Sequence, residues 1–146
     1  MTHTLDGFGF LVPRQEKRSI LGTLFSSSMF EGRARETDVL LTTFLGGRRQ
    51  PQLALNTTSE IERLVDADLG ALIGTAGAPS FSAVTRWPRA IAQYTIGHAQ
   101  RMLKIEEIER ATPGLYLRGS YRGGVAVGDC IRSAHETADA VAAYLR

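Results

Sequence analysis

The sequence predicts an α+β fold, and three observations carry that prediction. The first third is made of short apolar and β-branched runs broken by glycine and proline. The middle switches to a helical period. The end runs from an apolar triplet through a glycine-rich loop into an amphipathic stretch. The chain has 146 residues, 43% hydrophobic and 22% charged, which is the make-up of one globular domain with enough length to bury a core.

The elements follow in order. Gly7-Phe8-Gly9-Phe10-Leu11-Val12-Pro13 reads as a short strand closed by proline, which cannot donate to a ladder. The charged run Arg14–Arg18 suits a solvated hairpin turn. Ser19–Phe25 is a second strand without a clear polar face, and Ser26–Glu36 is polar enough to be loop. Asp38–Leu45 is a third strand, ended by Gly46-Gly47. Strands this close in sequence pair as an antiparallel meander.

Thr57 and Glu60 then stand at capping-box spacing. Behind them Ile61, Leu64, Val65, Leu69, Leu72 and Ile73 follow the stripe of an amphipathic helix, and Gly74 ends it. Phe81–Trp87 alternates as a fourth strand would, with Pro88 as its stop. Ile91–Gly97 is irregular. His98–Arg110 carries Met102, Leu103, Ile105 and Ile108 on a broad helical face, and Thr112-Pro113-Gly114 breaks it. Leu115-Tyr116-Leu117 reads as a short buried strand. The loop Gly119–Gly128 leads into a helix starting near Asp129. That helix puts Ile131, Ala134, Ala138, Val141, Ala142 and Leu145 on one face, and the alanines predict close packing against a sheet or helix.

Composition narrows the function classes. No apolar run reaches the roughly 18 residues of a membrane span. Met1-Thr2-His3-Thr4-Leu5-Asp6 lacks a charged segment followed by an apolar core, so no signal peptide is expected. One cysteine leaves no internal disulfide and no multi-cysteine zinc site, and fits a reducing cytoplasm. The pI near 9.0 reflects arginine more than a concentrated basic tract and only weakly hints at anionic partners, and no nucleic-acid partner is expected. His3, His98 and His135 are scattered, which predicts no metal site.

The segment Gly119–Gly128 has the physical attributes of a ligand cradle. Glycines let backbone approach a ligand, and a helix N-terminus offers free N–H groups and partial positive charge. The same composition also makes a plain turn. It is neither Gly-x-Gly-x-x-Gly nor the Walker pattern, so dinucleotide or nucleotide binding does not follow from it. Cys130, in the first helical turn, is either a thiol activated by the helix dipole or a small packed residue. Ser26-Ser27-Ser28 lacks the Gly-x-Ser-x-Gly surroundings of a nucleophile. The pairs Arg33/Arg35 and Arg48-Arg49 are solvated surface or contacts for carboxylates and phosphates. Trp87, the only tryptophan, is either a core residue or, with Gln93 and Tyr94 beside it, a ligand-facing aromatic.

Several segments, in order over essentially the whole chain, resemble the C-terminal portion of oxygen-dependent protoporphyrinogen or coproporphyrinogen oxidases. These are flavoenzymes of haem biosynthesis in the amine-oxidase-like superfamily. The segments are Gly7–Pro13, Ile20-Leu21-Gly22, Ser27-Ser28-x-Phe30, Phe44-Leu45-Gly46-Gly47, Trp87–Tyr94, Gly97-His98, Pro113–Leu117 and Gly119–Ile131. The most specific is Gly-Val-x-Val-x-Asp-Cys-Ile, here Gly124-Val125-Ala126-Val127-Gly128-Asp129-Cys130-Ile131. Three positions depart from the family pattern: Ala92 for proline, Ala134 for glycine and Ser120 for asparagine.

The resemblance implies FAD as cofactor, with Trp87, Gln93, Gly119, Gly124, Val125, Ala126 and Val127 against it. It implies Phe8, Leu11 and Phe44 as apolar walls for a porphyrinogen substrate. It names no general base, and no catalytic residue is assigned. The implied reaction is six-electron oxidation of a porphyrinogen, in three two-electron rounds with oxygen as acceptor. Residues 1–96 would be part of a substrate-binding domain, and residues 97–146 a helix plus the terminal strand–helix unit of an FAD-binding domain. The family's Rossmann unit and the upstream part of its substrate domain have no counterpart in these residues. The FAD site would therefore be incomplete, the chain inactive alone, and its partner the N-terminal half of the enzyme. The parent enzyme would be cytoplasmic or peripheral at the membrane. Two other readings stand beside this one: a module that binds a tetrapyrrole or a protein without flavin, and a decayed remnant with exposed strand edges.

Overall fold

The expected meander forms. In the computed structural model, which describes Met1–Arg146, β1 (Gly9–Leu11), β2 (Ile20–Phe25) and β3 (Leu41–Leu45) make one antiparallel sheet in that order. The charged turn between β1 and β2 folds as a short 3-10 segment, Arg14–Glu16. As the central strand, β2 is the most buried: Ile20 has no exposed surface, and Thr23 and Phe25 are nearly as enclosed. That explains its missing polar face. A bulge between Ile20 and Gly22 puts an extra residue on β2 opposite β3. Thr23 satisfies its buried hydroxyl against that of Thr43 at 3.0 Å.

Ser26–Glu36 is not all loop, because Ser26–Met29 forms a single helical turn, α1. Its serines act on the neighbouring backbone and strand. Ser27 Oγ accepts from the Leu40 N–H at 3.0 Å, and the hydroxyls of Ser26 and Thr42 bond at 2.7 Å.

Helix α2 (Thr58–Ile73) begins with the expected capping box. The Thr57 hydroxyl accepts from the Glu60 N–H, and the Glu60 carboxylate accepts from the Thr57 N–H at 2.8 Å. Gly74 closes the helix in the left-handed conformation (φ 67°), which a glycine adopts without strain. The apolar stripe of α2 lies on the sheet. Leu69 and Ile73 join Leu5, Val12, Ile20 and Phe25 in one core, with Phe10, Leu41, Val65 and Leu72 packed around it.

Met1–Arg86 and Trp87–Arg146 are two compact units. The second contains α3 (His98–Ala111) and α4 (Val127–Tyr144), and none of its residues is buried. Two predicted strands are absent. Phe81–Trp87 pairs with nothing and is mostly exposed. Its polar groups go instead to α2 and the turn before it: Arg86 donates to the Asn56 carbonyl at 2.9 Å, and the Ser82 hydroxyl donates to Glu62. Leu115–Leu117 is half-buried but joins no ladder. Its Leu117 N–H donates to the Glu109 carboxylate at 2.7 Å, and the Tyr116 hydroxyl donates to the Ala140 carbonyl at 3.2 Å. A strand needs a neighbouring strand, and alternation in one segment cannot supply it.

Candidate functional site

The candidate residues separate along the chain. Phe8, Leu11 and Phe44 lie in the first unit, whereas Trp87, Gln93, Gly119, Gly124, Val125, Ala126 and Val127 lie in the second.

Strand register arranges the first group. Leu11 stands opposite Gly22, and Gly22 opposite Phe44, so two apolar side chains flank a position without one. A Cβ on Gly22 would come within 3.0 Å of Leu11 Cδ2. Phe10 and Phe25 turn to the core, their ring centroids 6.1 Å apart. Alternation therefore leaves Leu11 86% and Phe44 49% exposed. Leu24 lies two residues beyond Gly22 on the same face and is also exposed. Phe8, just before β1, is exposed too, while its carbonyl accepts from the Phe25 N–H at 2.9 Å. Such an apolar face suits a flat, largely apolar ligand.

The second group is built on polar bonds. Glu109, in the last turn of α3, accepts from the Leu117 N–H and from Arg118 at 2.7 Å, and from Arg122 at 2.8 Å. Glu106 adds a carboxylate 3.5 Å from Arg122. Burial works against ionising Glu109. The hydrogen bonds from Arg122 and the Leu117 N–H, with the charges of Arg118 and Arg122, outweigh it and hold the carboxyl below the usual glutamate range. This cluster anchors the start of the glycine-rich loop to α3.

Tyr94 anchors the rest of the loop. Its hydroxyl donates to the Ser120 carbonyl and accepts from the Gly124 N–H, both at 3.0 Å. Its ring stacks on His98 with centroids 4.1 Å apart. Gly124 has φ +134°, and a Cβ there would collide with the Asp129 carboxylate. Only glycine fits.

The chain then enters α4 at Val127, two residues earlier than the sequence predicts. Ala126 provides no side-chain cap, and the first backbone bond runs from the Cys130 N–H to the Ala126 carbonyl at 3.1 Å. The N–H groups ahead of Cys130 are therefore available to a ligand. Val125 and Val127 are exposed, and a Cβ placed on Gly128 would meet open space. Cys130 is half-buried.

Trp87 and Gln93 lie outside this hydrogen-bonded arrangement. Trp87 is 74% exposed, so it is no core residue of this chain. Gln93 donates to the Ile91 carbonyl at 3.1 Å. The predicted packed face of α4 is also open, with Ile131 57% and Leu145 76% exposed. On α3, Leu103 and Ile108 are exposed as well.

Three residues that matter here are given no role by the sequence. Tyr94 is legible only as the neighbour of Gln93. Glu109 meets arginines too far along the chain for any helical spacing rule. Asp68 did leave a signal, because it occupies a stripe position of α2. It is buried, accepts from the Ser19 and Ile20 N–H groups at 2.7 and 3.1 Å, and faces Arg18 at 3.5 Å. It ties the end of the β1–β2 turn to α2.

Space is open at Gly128, and the uncapped helix N-terminus favours negative charge there. Consistent with this, the family model for flavin containing amine oxidoreductases matches residues 2–142, and the chain belongs to that family. FAD is the cofactor the family implies. Among its relatives, Protoporphyrinogen oxidase, mitochondrial, of Nicotiana tabacum is 38% identical over 98% of this chain and 29% of its own length. Coproporphyrinogen III oxidase of Bacillus subtilis (strain 168) is 29% identical over 86% of this chain and 27% of its own. A crystal structure of a candidate protoporphyrinogen oxidase from Exiguobacterium sp. 255-15 superposes with a TM-score of 0.78 at 28% identity. It covers 93% of this chain and 30% of that one. The chain spans less than a third of the length of these relatives. No helix is long and apolar enough to cross a membrane.

Proposed function

We propose that this chain is one part of an FAD-dependent porphyrinogen oxidase, and that it works together with the dinucleotide-binding half of that enzyme. The observation that carries the reading is the glycine-rich loop at Gly119–Gly128. It is tied down by Tyr94 and Glu109 and runs into an uncapped helix start, in a chain whose relatives are named as porphyrinogen oxidases. The exposed apolar face of α4 supports the need for a partner.

Bound FAD would accept two electrons from the substrate in each of three rounds and pass them to oxygen. The chain's own residues orient and desolvate. Val125, Ala126 and Val127 offer backbone to the cofactor, with Gly119 and Gly124 shaping the loop. Trp87 and Gln93 flank it as exposed groups, with the Gln93 amide bonded to the Ile91 carbonyl. Phe8, Leu11 and Phe44 form the apolar wall for the macrocycle and exclude water from it. Residues 1–96 contribute to substrate binding and residues 97–146 to the cofactor site. The enzyme acts in the cytoplasm or peripherally at a membrane.

The test is co-expression with the part of the Nicotiana tabacum relative that this chain does not span. The expected result is a yellow complex with flavin absorbance and porphyrinogen oxidation, with neither from the chain alone. Absence of flavin from both samples overturns the reading.

One observation favours a second reading. The first unit has its own core and an exposed Leu11–Gly22–Phe44 face, which suits a tetrapyrrole-binding or interaction module without catalysis. Porphyrin binding by the chain alone, lost in Leu11→Asp and indifferent to flavin, would favour it.

A further inference from the structure

Tyr94 makes the only side-chain hydrogen bonds that reach both sides of the Ser120–Gly124 turn, and its position has a consequence for the cofactor site. A phenol has one donor and two acceptor positions, so donating to Ser120 and accepting from Gly124 are compatible. The two contacts are four residues apart, and one oxygen atom bridges them. Gly123 and Gly124 both have positive φ (84° and 134°), so this stretch has few conformational restraints of its own. The residues that follow at once are Val125, Ala126 and Val127. Stacking on His98, the first residue of α3, fixes the plane of the Tyr94 ring. The Glu109 cluster holds Leu117 and Arg118 ahead of the turn and the Arg122 side chain within it, whereas Tyr94 alone bonds the backbone at both ends of the turn.

We propose that Tyr94 is a positioning residue for the flavin: its hydroxyl sets the path of backbone from Ser120 to Gly124 and so aims Val125–Val127 and the start of α4 at the isoalloxazine. This rests on the flavin reading above. Tyr94 acts through the loop and carries no chemical step.

Tyr94→Phe keeps the ring and its stacking while removing both hydrogen bonds. The first measurement is amide hydrogen exchange at Gly124, by NMR on the full chain. Exchange is expected to rise about tenfold, the ceiling for losing one ordinary hydrogen bond, with no change at Leu117. The second measurement is the flavin absorption envelope and reduction potential of the co-expressed complex. A tenfold change in the relative affinity for reduced and oxidised flavin is expected, about 30 mV for a two-electron couple. His98→Ala, which loses the stack but keeps the hydroxyl, should fall between wild type and Tyr94→Phe on both readouts.

Unchanged exchange at Gly124 overturns the proposal at its first step. Faster exchange with an unaltered flavin spectrum and potential overturns the positioning role while leaving the flavin reading intact. A wild-type complex without flavin overturns both, and is distinguished by needing no variant at all.

Discussion

Between Met1 and Arg86 the chain buries Leu5, Val12, Ile20, Phe25, Ile61, Leu69 and Ile73, whereas between Trp87 and Arg146 it buries nothing. The first unit is held by apolar area removed from water, with Thr23 and Asp68 as its buried polar groups. The second is held by hydrogen bonds and ion pairs from Tyr94, Glu106, Glu109 and Tyr116. The two helices of that unit still carry apolar faces, but they are turned to solvent. A sequence can write an amphipathic stripe without the chain containing what covers it. The first unit is therefore held by an apolar core, and the second by polar contacts between its own segments.

The first unit is most vulnerable where its core is densest. Phe25→Ala is expected to cost about 3–5 kcal/mol, read as a lower denaturation midpoint with a loss of α2 protection. A loss below 1 kcal/mol would mean that the first unit is not core-driven.

Asp68→Ala comes next. It leaves the Ser19 and Ile20 N–H groups without their acceptor, which costs about 1–3 kcal/mol. Asp68→Asn keeps one acceptor oxygen and should recover part of that loss in the same titration.

The second unit should respond to pH through Glu109. The folded-state pKa of Glu109 is depressed, so its contribution is present above the ordinary glutamate pKa. It is lost as pH falls from there through the lower folded value. The protection of the Leu117 amide, relative to its intrinsic exchange rate at each pH, should fall across that window and not above it. Glu109→Gln should abolish the pH dependence, at a cost of about 1–2 kcal/mol to the local tie. Persistence of the acid response in Glu109→Gln would assign it elsewhere.

The smallest effect sharpens the contrast most. Ile131→Ala removes a large side chain from α4, yet it should change the stability of this chain by no more than about 0.5 kcal/mol, because Ile131 is 57% exposed. In the co-expressed complex the same substitution should weaken association. A core-sized loss in the isolated chain would show that the α4 face is already covered.

Local signals were enough for the elements whose geometry is local. The Thr57–Glu60 box, the stripe from Ile61 to Ile73 and the Gly74 cap mark α2 to the residue, because capping and periodicity involve neighbours three or four positions apart. The meander was legible for the same reason, since short connections leave β1, β2 and β3 little choice of partner. Phe81–Trp87 and Leu115–Leu117 form no strand, because neither alternation in the first nor apolar character in the second says anything about a neighbouring strand. The glycine-rich loop was visible as a composition, and its family resemblance as a motif. Its anchors were not, because Tyr94 and Gly124 are thirty residues apart.

The sequence by itself thus determined the α+β class, the capped helix and the family, all encoded in short-range patterns or in motifs. Tertiary structure alone decided that Leu11 and Phe44 share an open face across Gly22, that Asp68 holds the β1–β2 turn, and that Tyr94 and Glu109 hold the loop. Those outcomes depend on strand register and on hydrogen bonds between distant residues, and no spacing rule reaches that far.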